Sequence, residues 1–190
     1  VSVIAAVAVL NASAASISFD KNYTYNNQQE PIMAPASYEM ISSVDSQSLG
    51  IESLNDIADI KTMSHLVKYD SIHGVLQRNI CTENETLVID DLKFQFFHES
   101  DISKLPWKAL DIDFVIEATG KFKTTETAQL HISAGAKKVI LSAPPEDDNI
   151  KTVVLGVNEH ILDGSENIIS NASCTTNNAA PMLKIIQELC

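Results

Sequence analysis

The sequence contains few residues that could form a disulfide framework or a metal site. Its three cysteines, at positions 81, 174 and 190, are an odd number and include no Cys-X-X-Cys pair, which argues against a disulfide scaffold and against a structural zinc site. The five histidines include no pair with His-X-X-X-His or His-Glu-X-X-His spacing, so we interpret them as surface or packing residues. We therefore expect a reducing compartment and no metal ion.

Basic residues are also scarce. The 190 residues include 13 Lys and Arg against 25 Asp and Glu, which gives a formal net charge of -12. We therefore expect no nucleic acid as a partner, because duplex binding requires a broad positive surface. Small phosphorylated ligands are compatible with this charge, since backbone N–H groups and helix N-termini bind anions locally.

Glycine is rare, and its positions exclude one common phosphate-binding motif. The six glycines stand at positions 50, 74, 120, 135, 156 and 164, so no Gly-X-Gly-X-X-Gly occurs in the sequence. In βαβ units that bind dinucleotides, this turn comes about 20 residues before an acidic residue that binds a ribose. A unit of this kind in the present chain would lack its Gly-rich turn.

The one long apolar run lies at the beginning of the chain. Residues 1–10 are mostly apolar and are followed by small residues up to position 15, a pattern typical of a secretory signal. The run is too short to span a bilayer as a helix. A buried strand is the alternative, favoured by the β-branched residues at 1–4, and both interpretations stay open. Residues 20–50 are rich in Asn, Gln, Pro and Ser and are interpreted as a linker.

From residue 51 onward, the pattern is typical of a packed domain. Apolar residues spaced three and four apart predict a helix over residues 59–69, with Asp59 placed to cap its start. Two β-rich runs around Asp90-Asp91 predict a hairpin. Short, nearly continuous apolar runs follow, as expected for strands buried on both faces of a parallel sheet. The segments predicted as strands are 86–89, 93–97, 113–116, 138–142, 152–157 and 167–170.

Two further helices complete the pattern. Thr124 is placed to cap a helix that follows the strand at 113–116, and Gly135 suits the C-terminal end of this helix. The last helix is predicted from four apolar residues at i, i+3, i+4 and i+7, which are Met182, Ile185, Ile186 and Leu189. Strands that alternate with helices in this way predict an α/β fold with a parallel sheet.

Cys174 lies at the junction between the last predicted strand and the last predicted helix. The partial positive charge and free N–H groups of a helix N-terminus favour a thiolate, and a thiolate is a nucleophile. Ser173, Thr175 and Thr176 add hydroxyl groups that can cap the helix or bind an anion. The alternative is an inert, buried cysteine beside ordinary capping residues. Position alone leaves both interpretations open.

The residues around Cys174 resemble a known active-site signature. The octapeptide Ser170-Asn171-Ala172-Ser173-Cys174-Thr175-Thr176-Asn177 is similar to that of the phosphorylating, NAD-dependent glyceraldehyde-3-phosphate dehydrogenases. The similarity extends from about Leu54 to the last residue. Five further segments carry it: Asn55-Asp56, Lys61 to Ser71 with Gly74, Glu117 to Phe122, Gly135 to Pro144, and Gly156 to Asn158.

The resemblance implies an incomplete Rossmann-type sheet domain followed by the start of the first helix of a catalytic domain. We expect an unmatched, signal-like and linker segment over residues 1–50. A partial NAD-binding domain is expected over 51–173, and the start of the catalytic domain over 174–190. The sequence resembles a partial member of the family that lacks the N-terminal Gly-rich unit and most of the catalytic domain, including the histidine that acts as the base.

NAD is the cofactor that the resemblance implies. Asp56 would accept hydrogen bonds from the adenosine ribose, with Asn55 beside it, and a carboxylate there favours NAD over NADP. Without the family, Asp56 would be interpreted as a helix cap or turn residue. Thr119 and Gly120 would pass close to the cofactor, since a glycine leaves space for it. The remaining implied contacts are Phe122 against the adenine, and Ser142 and Ala143 on the cofactor side of the next strand.

The implied activity is the oxidation of glyceraldehyde 3-phosphate to an acyl phosphate. Cys174 would attack the aldehyde, hydride would pass to the nicotinamide, and inorganic phosphate would cleave the resulting thioester. Ser173 and Thr175 match phosphate-binding positions next to the nucleophile. The complete protein would be a cytoplasmic homotetramer of glycolysis, unless the signal-like residues 1–15 direct export.

Two alternative functions stay open at this point. The first is a non-catalytic remnant of an NAD-binding domain, or such a remnant fused to an exported leader. The second is a sister dehydrogenase that acts on erythrose 4-phosphate.

Overall fold

The computed structural model describes residues 7–11, 50–70 and 74–190. In these ranges the chain forms three α-helices, α1 (Ile60–Lys68), α2 (Thr125–Ser133) and α3 (Cys174–Leu189). The strands are β1 (Val7–Asn11), β2 (Gly50–Asn55), β3 (Tyr69–Asp70), β4 (Gly74–Val75), β5 (Ile80–Glu83), β6 (Thr86–Ile89), β7 (Leu92–Phe97), β8 (Phe114–Glu117), β9 (Lys138–Leu141), β10 (Lys151–Thr152) and β11 (Ile168–Ser170). All of them except the pair β3 and β4 form one sheet, in the order β10-β11-β9-β8-β1-β2-β7-β6-β5.

Most strands in the middle of the sheet run in one direction. β2 is parallel to β7, β8 is parallel to β9, and β11 is parallel to both β9 and β10. β1 lies between β2 and β8 and is antiparallel to both, so β2 and β8 also run in the same direction. The predicted α/β fold with a parallel sheet is confirmed, and the reversed central strand is a feature that the sequence did not predict.

β1 bears on the two interpretations of the first residues. Val7–Asn11 is a strand that pairs along both of its edges, whereas residues 1–4, on which the strand interpretation is based, lie outside the described residues. Asn11 pairs with Gly50 at the start of β2, and an antiparallel pair of this kind needs no crossover helix. Residues 1–6 and 12–49, and with them most of the signal-like and linker segments, lie outside the described residues. The domain boundaries stay predictions.

The hairpin predicted around Asp90-Asp91 is confirmed. β6 and β7 pair antiparallel, with Ile89 opposite Leu92, and Asp90 has the positive φ of 53° that suits a tight hairpin turn. β5 is a third strand, which the sequence patterns did not predict. It turns into β6 through Asn84 at a φ of 52°, and Asn is one of the few residues that tolerate this conformation.

α1 begins and packs as predicted. Asp59 caps the helix by accepting hydrogen bonds from the N–H groups of Lys61 and Thr62, both at 3.0 Å. The buried face of α1, formed by Met63 and Val67, joins an apolar cluster that also contains Leu54, Leu76, Leu87, Ile89, Phe94 and Phe96. This packing holds the helix against β2 and its neighbours.

α2 also follows its prediction. Thr124 caps the helix through reciprocal hydrogen bonds with Thr127, and Asp147 accepts bonds from the Thr125 N–H at 2.5 Å and the Thr125 hydroxyl at 2.7 Å. Gly135 follows the helix at a φ of 115°, as expected for the end of a helix. A second apolar cluster lies beneath it, formed by Ile102, Leu105, Trp107, Ile112, Val115, Ala128, Ala136, Val139, Leu141 and Ile150.

Two features near the C-terminal end differ from expectation. The strand predicted over 152–157 is only Lys151–Thr152, because the Asn158 side chain binds the Val154 N–H and the Thr152 carbonyl and turns the chain. α3 forms as predicted, but its apolar residues are exposed: Met182, Leu183, Ile185, Ile186 and Leu189. Within the described ranges, no helix has the length and apolar character needed to cross a membrane.

Candidate functional site

Strands β2, β8, β9 and β11 all end at the same edge of the sheet. β2 ends at Asn55 and β8 at Glu117, and both residues pair with Val7 of β1. β9 and β11 continue the row, because they run parallel to β8 and end at Leu141 and Ser170. Ligands of open α/β sheets bind outside the carboxyl ends of the strands. Every site residue predicted from the sequence stands at, or just after, one of these four strand ends.

Asp56 follows β2 and is buried. Its N–H donates to the Phe97 carbonyl at 3.2 Å, and its Oδ1 accepts the Ala58 N–H at 2.7 Å. Burial raises the pKa of the Asp56 carboxyl, although the Ala58 N–H and the nearby His98 oppose this shift. Because desolvation is the larger effect, a hydroxyl that donated to this carboxylate would replace part of its lost hydration.

Asn55 stands beside Asp56, but its side chain binds another loop. Its Nδ2 donates to the Glu99 carbonyl at 3.0 Å, and its Oδ1 accepts the Glu99 N–H at 3.0 Å. This reciprocal pair ties the end of β2 to the segment after β7. Asn55 therefore holds the strand edge on which Asp56 stands.

A buried carboxylate holds the turn after β8. Oε1 of Glu117 accepts hydrogen bonds from the Thr119 N–H at 2.8 Å and from the Thr119 hydroxyl. The Lys121 N–H donates in turn to Oγ1 of Thr119 at 3.1 Å. Gly120 has a φ of 70°, and a Cβ at this position would meet no described atom within 4 Å. The turn therefore requires glycine for its conformation and leaves open space beside it.

Two further buried side chains extend this group. Nε2 of His131 lies 3.0 Å from Oε2 of Glu117, and Nε1–H of Trp107 donates to Nδ1 of His131 at 3.1 Å. All three side chains are buried. No sequence pattern points to a role for Trp107 or Glu117, and the spacing of the histidines predicts only surface or packing residues. Partners that stand 14 and 24 positions apart form no local motif that could have revealed them.

The remaining residues predicted to contact the cofactor, Phe122, Ser142 and Ala143, differ in their surroundings. The Phe122 ring packs edge-on against His131, with centroids 6.5 Å apart, and belongs to the second apolar cluster. Ser142 is exposed, and its N–H donates to the Glu117 carbonyl at 3.0 Å. The Ala143 carbonyl accepts the Ser170 hydroxyl at 2.8 Å. The segment after β9 thus ties the ends of β8 and β11 together.

A strained turn carries the chain from β11 to α3. Ala172 is buried and has a φ of 60°, a conformation that costs a residue with a Cβ about 1–2 kcal/mol. Oγ of Ser170 accepts the Ala172 N–H at 3.0 Å, and Nδ2 of Asn177 donates to the Asn171 carbonyl at 2.7 Å. Strain that is held in place by its surroundings is characteristic of functional sites.

Cys174 is the first residue of α3 and is exposed. Ser173 caps the helix, since its Oγ accepts the Thr176 N–H at 3.0 Å. The same Oγ lies 2.9 Å from the Thr175 hydroxyl and 2.7 Å from the Thr176 hydroxyl. Cys174 therefore stands at a helix N-terminus, among residues that carry three hydroxyl groups, and the alternative of a buried cysteine does not fit its exposure.

Comparison with known proteins identifies the family. The NAD binding domain of glyceraldehyde 3-phosphate dehydrogenase matches residues 38–125. The glyceraldehyde-3-phosphate dehydrogenase of Thermotoga maritima is 45% identical over 151 residues, which are 80% of this chain and 45% of that protein. That of Mycoplasma pneumoniae is 44% identical over 142 residues, 75% of this chain and 42% of that protein. This chain belongs to the glyceraldehyde-3-phosphate dehydrogenase family.

A third relative agrees with this assignment. Glyceraldehyde-3-phosphate dehydrogenase 2 of Bacillus subtilis is 43% identical over 139 residues, which are 73% of this chain and 41% of that protein. The chain thus spans less than half the length of the curated relatives it matches. Its similarity covers the NAD-binding domain of a glyceraldehyde-3-phosphate dehydrogenase, and NAD is the cofactor of that domain.

The residues at the strand edge fit NAD in two respects and depart from the usual arrangement in one. The buried Asp56 carboxylate can accept ribose hydroxyls, and the open turn at Gly120 allows a cofactor to approach the backbone. However, Asn11 at the end of the reversed β1 lies at the opposite edge, beside Gly50. Among the residues that the structure describes, none at this edge corresponds to the loop that follows the first strand in Rossmann units and binds the pyrophosphate there.

Among the residues that the structure describes, no group of three or more His, Cys, Asp or Glu side chains is placed to hold a metal ion. His131 in particular uses both ring nitrogens in hydrogen bonds to Trp107 and Glu117. The described edge carries the thiol of Cys174, the hydroxyl groups beside it in the chain and the buried carboxylate of Asp56.

Proposed function

We propose that this chain supplies the NAD-binding site and the nucleophile of a phosphorylating glyceraldehyde-3-phosphate dehydrogenase. The observation that carries the proposal is the exposed thiol of Cys174 at the N-terminus of α3. This helix follows β11, and β11 ends at the same sheet edge as the strand that precedes Asp56. Identity of about 45% to dehydrogenases of this name supports the choice of reaction.

NAD would lie along the strand ends, with its adenosine at Asp56 and its nicotinamide toward Cys174. Four strand spacings separate β2 from β11 in the sheet, roughly 19 Å in total at about 4.8 Å each. An extended dinucleotide can span a distance of this order. The residues between the two ends are the proposed cofactor contacts after β8 and β9: Thr119, Gly120, Phe122, Ser142 and Ala143.

Asn55 and Phe122 have smaller proposed roles in NAD binding than the resemblance to the family implies. Asn55 binds the Glu99 backbone with both its amide oxygen and its amide nitrogen, so its role is to hold Asp56 in place. The Phe122 ring is packed partly against His131, so only its accessible part would touch the adenine.

Cys174 is the proposed nucleophile. Its thiolate attacks the carbonyl carbon of glyceraldehyde 3-phosphate, a C–S bond forms, and the carbonyl oxygen takes up a proton. NAD, when bound, accepts the hydride from that carbon. The hydroxyl proton is released as the thioester forms. An oxygen of inorganic phosphate then attacks the thioester carbon, and the C–S bond breaks to return the thiolate and release the acyl phosphate.

Ser173 and Thr175 are the proposed phosphate-binding residues. Their hydroxyl oxygens lie 2.9 Å apart, and the two residues flank Cys174 in the chain. The N–H groups of Cys174 and Thr175 belong to the first turn of α3, where N–H groups have no partner within the helix. Hydroxyls and N–H groups together form an anion-binding surface that needs no lysine or arginine, which suits a chain with a net charge of -12.

The resemblance to the family carries three further proposals. Residues 51–173 form the NAD-binding domain, and residues 174–190 begin the catalytic domain. The complete protein is a homotetramer, and it works in the cytoplasm. Light scattering of the purified protein and fractionation of cells test these last two proposals. That the protein has no nucleic acid as a partner is a separate proposal, which rests on the net charge of -12.

A phosphate-dependent assay of the complete protein tests the reaction. NADH formation from glyceraldehyde 3-phosphate, NAD and inorganic phosphate is followed in the wild type, Cys174→Ser and Cys81→Ser. Cys81 is a matched control because it is also exposed but lies within strand β5 and not in the first turn of a described helix. We expect the control to keep its activity and Cys174→Ser to lose about a thousandfold or more.

Three outcomes of this assay would contradict the proposal. Equal rates for the two variants would remove Cys174 from its role. NADH formation that does not depend on phosphate would exclude the phosphorylating reaction. A higher kcat/KM for erythrose 4-phosphate than for glyceraldehyde 3-phosphate would assign the sister activity.

A further inference from the structure

Trp107, His131 and Glu117 form a buried chain of hydrogen bonds that ends at the proposed cofactor site. Trp107 donates to His131 at 3.1 Å, and His131 lies 3.0 Å from Glu117. Glu117 accepts both the N–H and the hydroxyl of Thr119. The three side chains, here called the Trp–His–Glu triad, are almost completely excluded from solvent.

The triad selects one tautomer of His131. An indole N–H can only donate a hydrogen bond, so Nδ1 of His131 accepts from Trp107 and carries no proton. The ring proton therefore sits on Nε2 and is donated to Oε2 of Glu117. A proton on Nδ1 would point at the Trp107 N–H, and two donors would face each other in a buried site.

The other oxygen of Glu117 determines the geometry of the turn. Oε1 receives two hydrogen bonds from Thr119, and Oγ1 of Thr119 receives one from the Lys121 N–H. Gly120, which lies between these two residues, has a φ of 70°. The orientation of the Glu117 carboxylate thus determines where the backbone at Thr119 and Gly120 lies.

We propose that the Trp–His–Glu triad is a positioning device for the cofactor: through the tautomer of His131, it holds Glu117 and thereby the Thr119–Gly120 turn against which NAD binds. The proposal rests on the cofactor contacts of Thr119 and Gly120 proposed above. None of the three side chains needs to touch NAD, since they lie beneath the turn rather than at its surface. The expected consequence is a change in NAD affinity when the tautomer changes.

The competing explanation is that the three residues only fill space in the second apolar cluster. Packing alone does not depend on the position of one proton. It therefore predicts that each substitution weakens NAD binding according to the volume and polarity that it removes. The positioning role predicts that two substitutions interact, because a change at Glu117 forces a change of tautomer that only Trp107 opposes. A double-mutant cycle separates the two explanations.

The cycle uses Glu117→Gln, Trp107→Phe and the double variant of the complete protein. In Glu117→Gln, an amide oxygen that still accepts from Thr119 places the amide NH₂ against Nε2 of His131. His131 then has to move its proton to Nδ1, where it meets the Trp107 N–H. Removing that N–H in the double variant relieves the conflict. Trp107→Phe alone leaves the original tautomer and an unused acceptor at Nδ1.

The readout of the cycle is the dissociation constant for NAD, measured by calorimetry. We expect Glu117→Gln to weaken binding by about tenfold or more and Trp107→Phe by about threefold or less. The affinity of the double variant for NAD should be within about threefold of that of Trp107→Phe. The reason is that Trp107→Phe removes the N–H with which the changed tautomer of Glu117→Gln conflicts. If the loss of NAD affinity in the double variant equals the product of the losses in the two single variants, the positioning role is wrong.

The tautomer itself can be observed without NAD. In ¹⁵N-histidine spectra of the wild type, assigned with His131→Gln, the proposal requires an unprotonated Nδ1 and a protonated Nε2 on His131. In Glu117→Gln the proton is expected on Nδ1. A wild-type His131 protonated on Nδ1 would refute the triad directly.

The two measurements also distinguish a failure of the positioning role from a failure of the proposed function. If the tautomer is as expected but the wild type does not bind NAD, the proposed cofactor site is wrong and the positioning role falls with it. If the wild type binds NAD normally and the losses multiply, the positioning role alone is wrong.

Discussion

The hydroxyl of Ser170 joins two strand ends by donating a hydrogen bond to the carbonyl of Ala143 at 2.8 Å. The same oxygen accepts the N–H of Ala172 at 3.0 Å. Ser170 is completely buried, so water cannot replace the hydroxyl for either group. One side chain therefore connects the segment after β9 to the strained turn that carries Cys174.

Ser170→Ala is expected to destabilise the protein by about 2 kcal/mol, because it leaves two backbone groups without their partner in a buried site. Urea denaturation followed by circular dichroism measures the change. Ser133→Ala is the matched control. The Ser133 hydroxyl also bonds to a carbonyl, that of Gln129 at 3.0 Å, but on an exposed helix position where Ala is the better helix former. Equal effects in the two variants would contradict the role of Ser170.

Asp56→Asn is expected to stabilise the protein at neutral pH. Burial raises the pKa of Asp56 in the folded state, so the ionised carboxyl reduces stability at pH values above that pKa. The effect disappears as the pH falls below the pKa of the unfolded chain, where both states are protonated. Asn keeps an acceptor for the Ala58 N–H and has no charge to desolvate. Thermal denaturation should show a more stable variant at neutral pH and equal stability in acid.

The same substitution is expected to weaken NAD binding by about tenfold, because a hydrogen bond to a carboxylate is stronger than one to an amide. Calorimetry across pH measures it. Wild-type affinity should fall as the pH drops through the raised pKa of Asp56, while the affinity of the variant should change little. A variant that bound NAD as tightly as the wild type would remove Asp56 from the cofactor site.

Asp59→Asn is the control for both measurements. Asp59 is an exposed cap, and its hydrogen bond from the Thr62 hydroxyl lowers the pKa of its carboxyl. Its contribution to stability is therefore present above the unfolded pKa and is lost as the pH falls through the folded pKa. This variant should lose stability at neutral pH and keep its affinity for NAD, which is the opposite of Asp56→Asn on both counts.

Gly135→Ala is expected to be far more harmful than Gly164→Ala. Both glycines have positive φ, 115° and 89°. A Cβ on Gly135 would lie 2.5 Å from the backbone N and Cα of Lys108, whereas one on Gly164 meets no described atom within 4 Å. We expect a loss of about 3 kcal/mol or more at Gly135 and about 1 kcal/mol at Gly164. Similar midpoints of urea denaturation would show that the chain near Lys108 moves aside easily.

Local sequence patterns predicted the parts of the fold that depend on neighbouring residues. The caps Asp59 and Thr124, the turn at Asp90 and the glycine after α2 all follow from side-chain chemistry within one turn of the chain. The position of Cys174 at the start of α3 is of the same kind. Each of these features requires only the residues within a few positions of it.

Features that depend on distant residues could not be predicted in this way. The direction of β1 is determined by which strands lie beside it, and its apolar sequence is equally compatible with either direction. The Trp–His–Glu triad joins residues from three separate segments, and no spacing rule brings them together. The exposed face of α3 has the same apolar pattern as a buried one.

Cys174 is expected to react with a thiol-alkylating reagent faster than Cys81 at neutral pH. All three cysteines are exposed, so access alone would give similar rates. Of the three, only Cys174 stands in the first turn of a helix, where free N–H groups are available to negative charge that develops on the reacting sulfur. Mass spectrometry of peptides from a timed reaction gives the rate at each cysteine, and we expect a ratio of about tenfold.

A second comparison separates the contribution of the helix terminus to the reactivity of Cys174 from that of the turn that precedes the helix. Ser170→Ala loosens the turn but keeps α3, so Cys174 should stay faster than Cys81 by a reduced ratio. Ser173→Ala removes the cap that accepts the Thr176 N–H, which frays the first turn and should bring the two rates closer still. If Cys174 and Cys81 react at the same rate in the wild type, the helix terminus does not activate the thiol, and the case for Cys174 as nucleophile would depend on the assay alone.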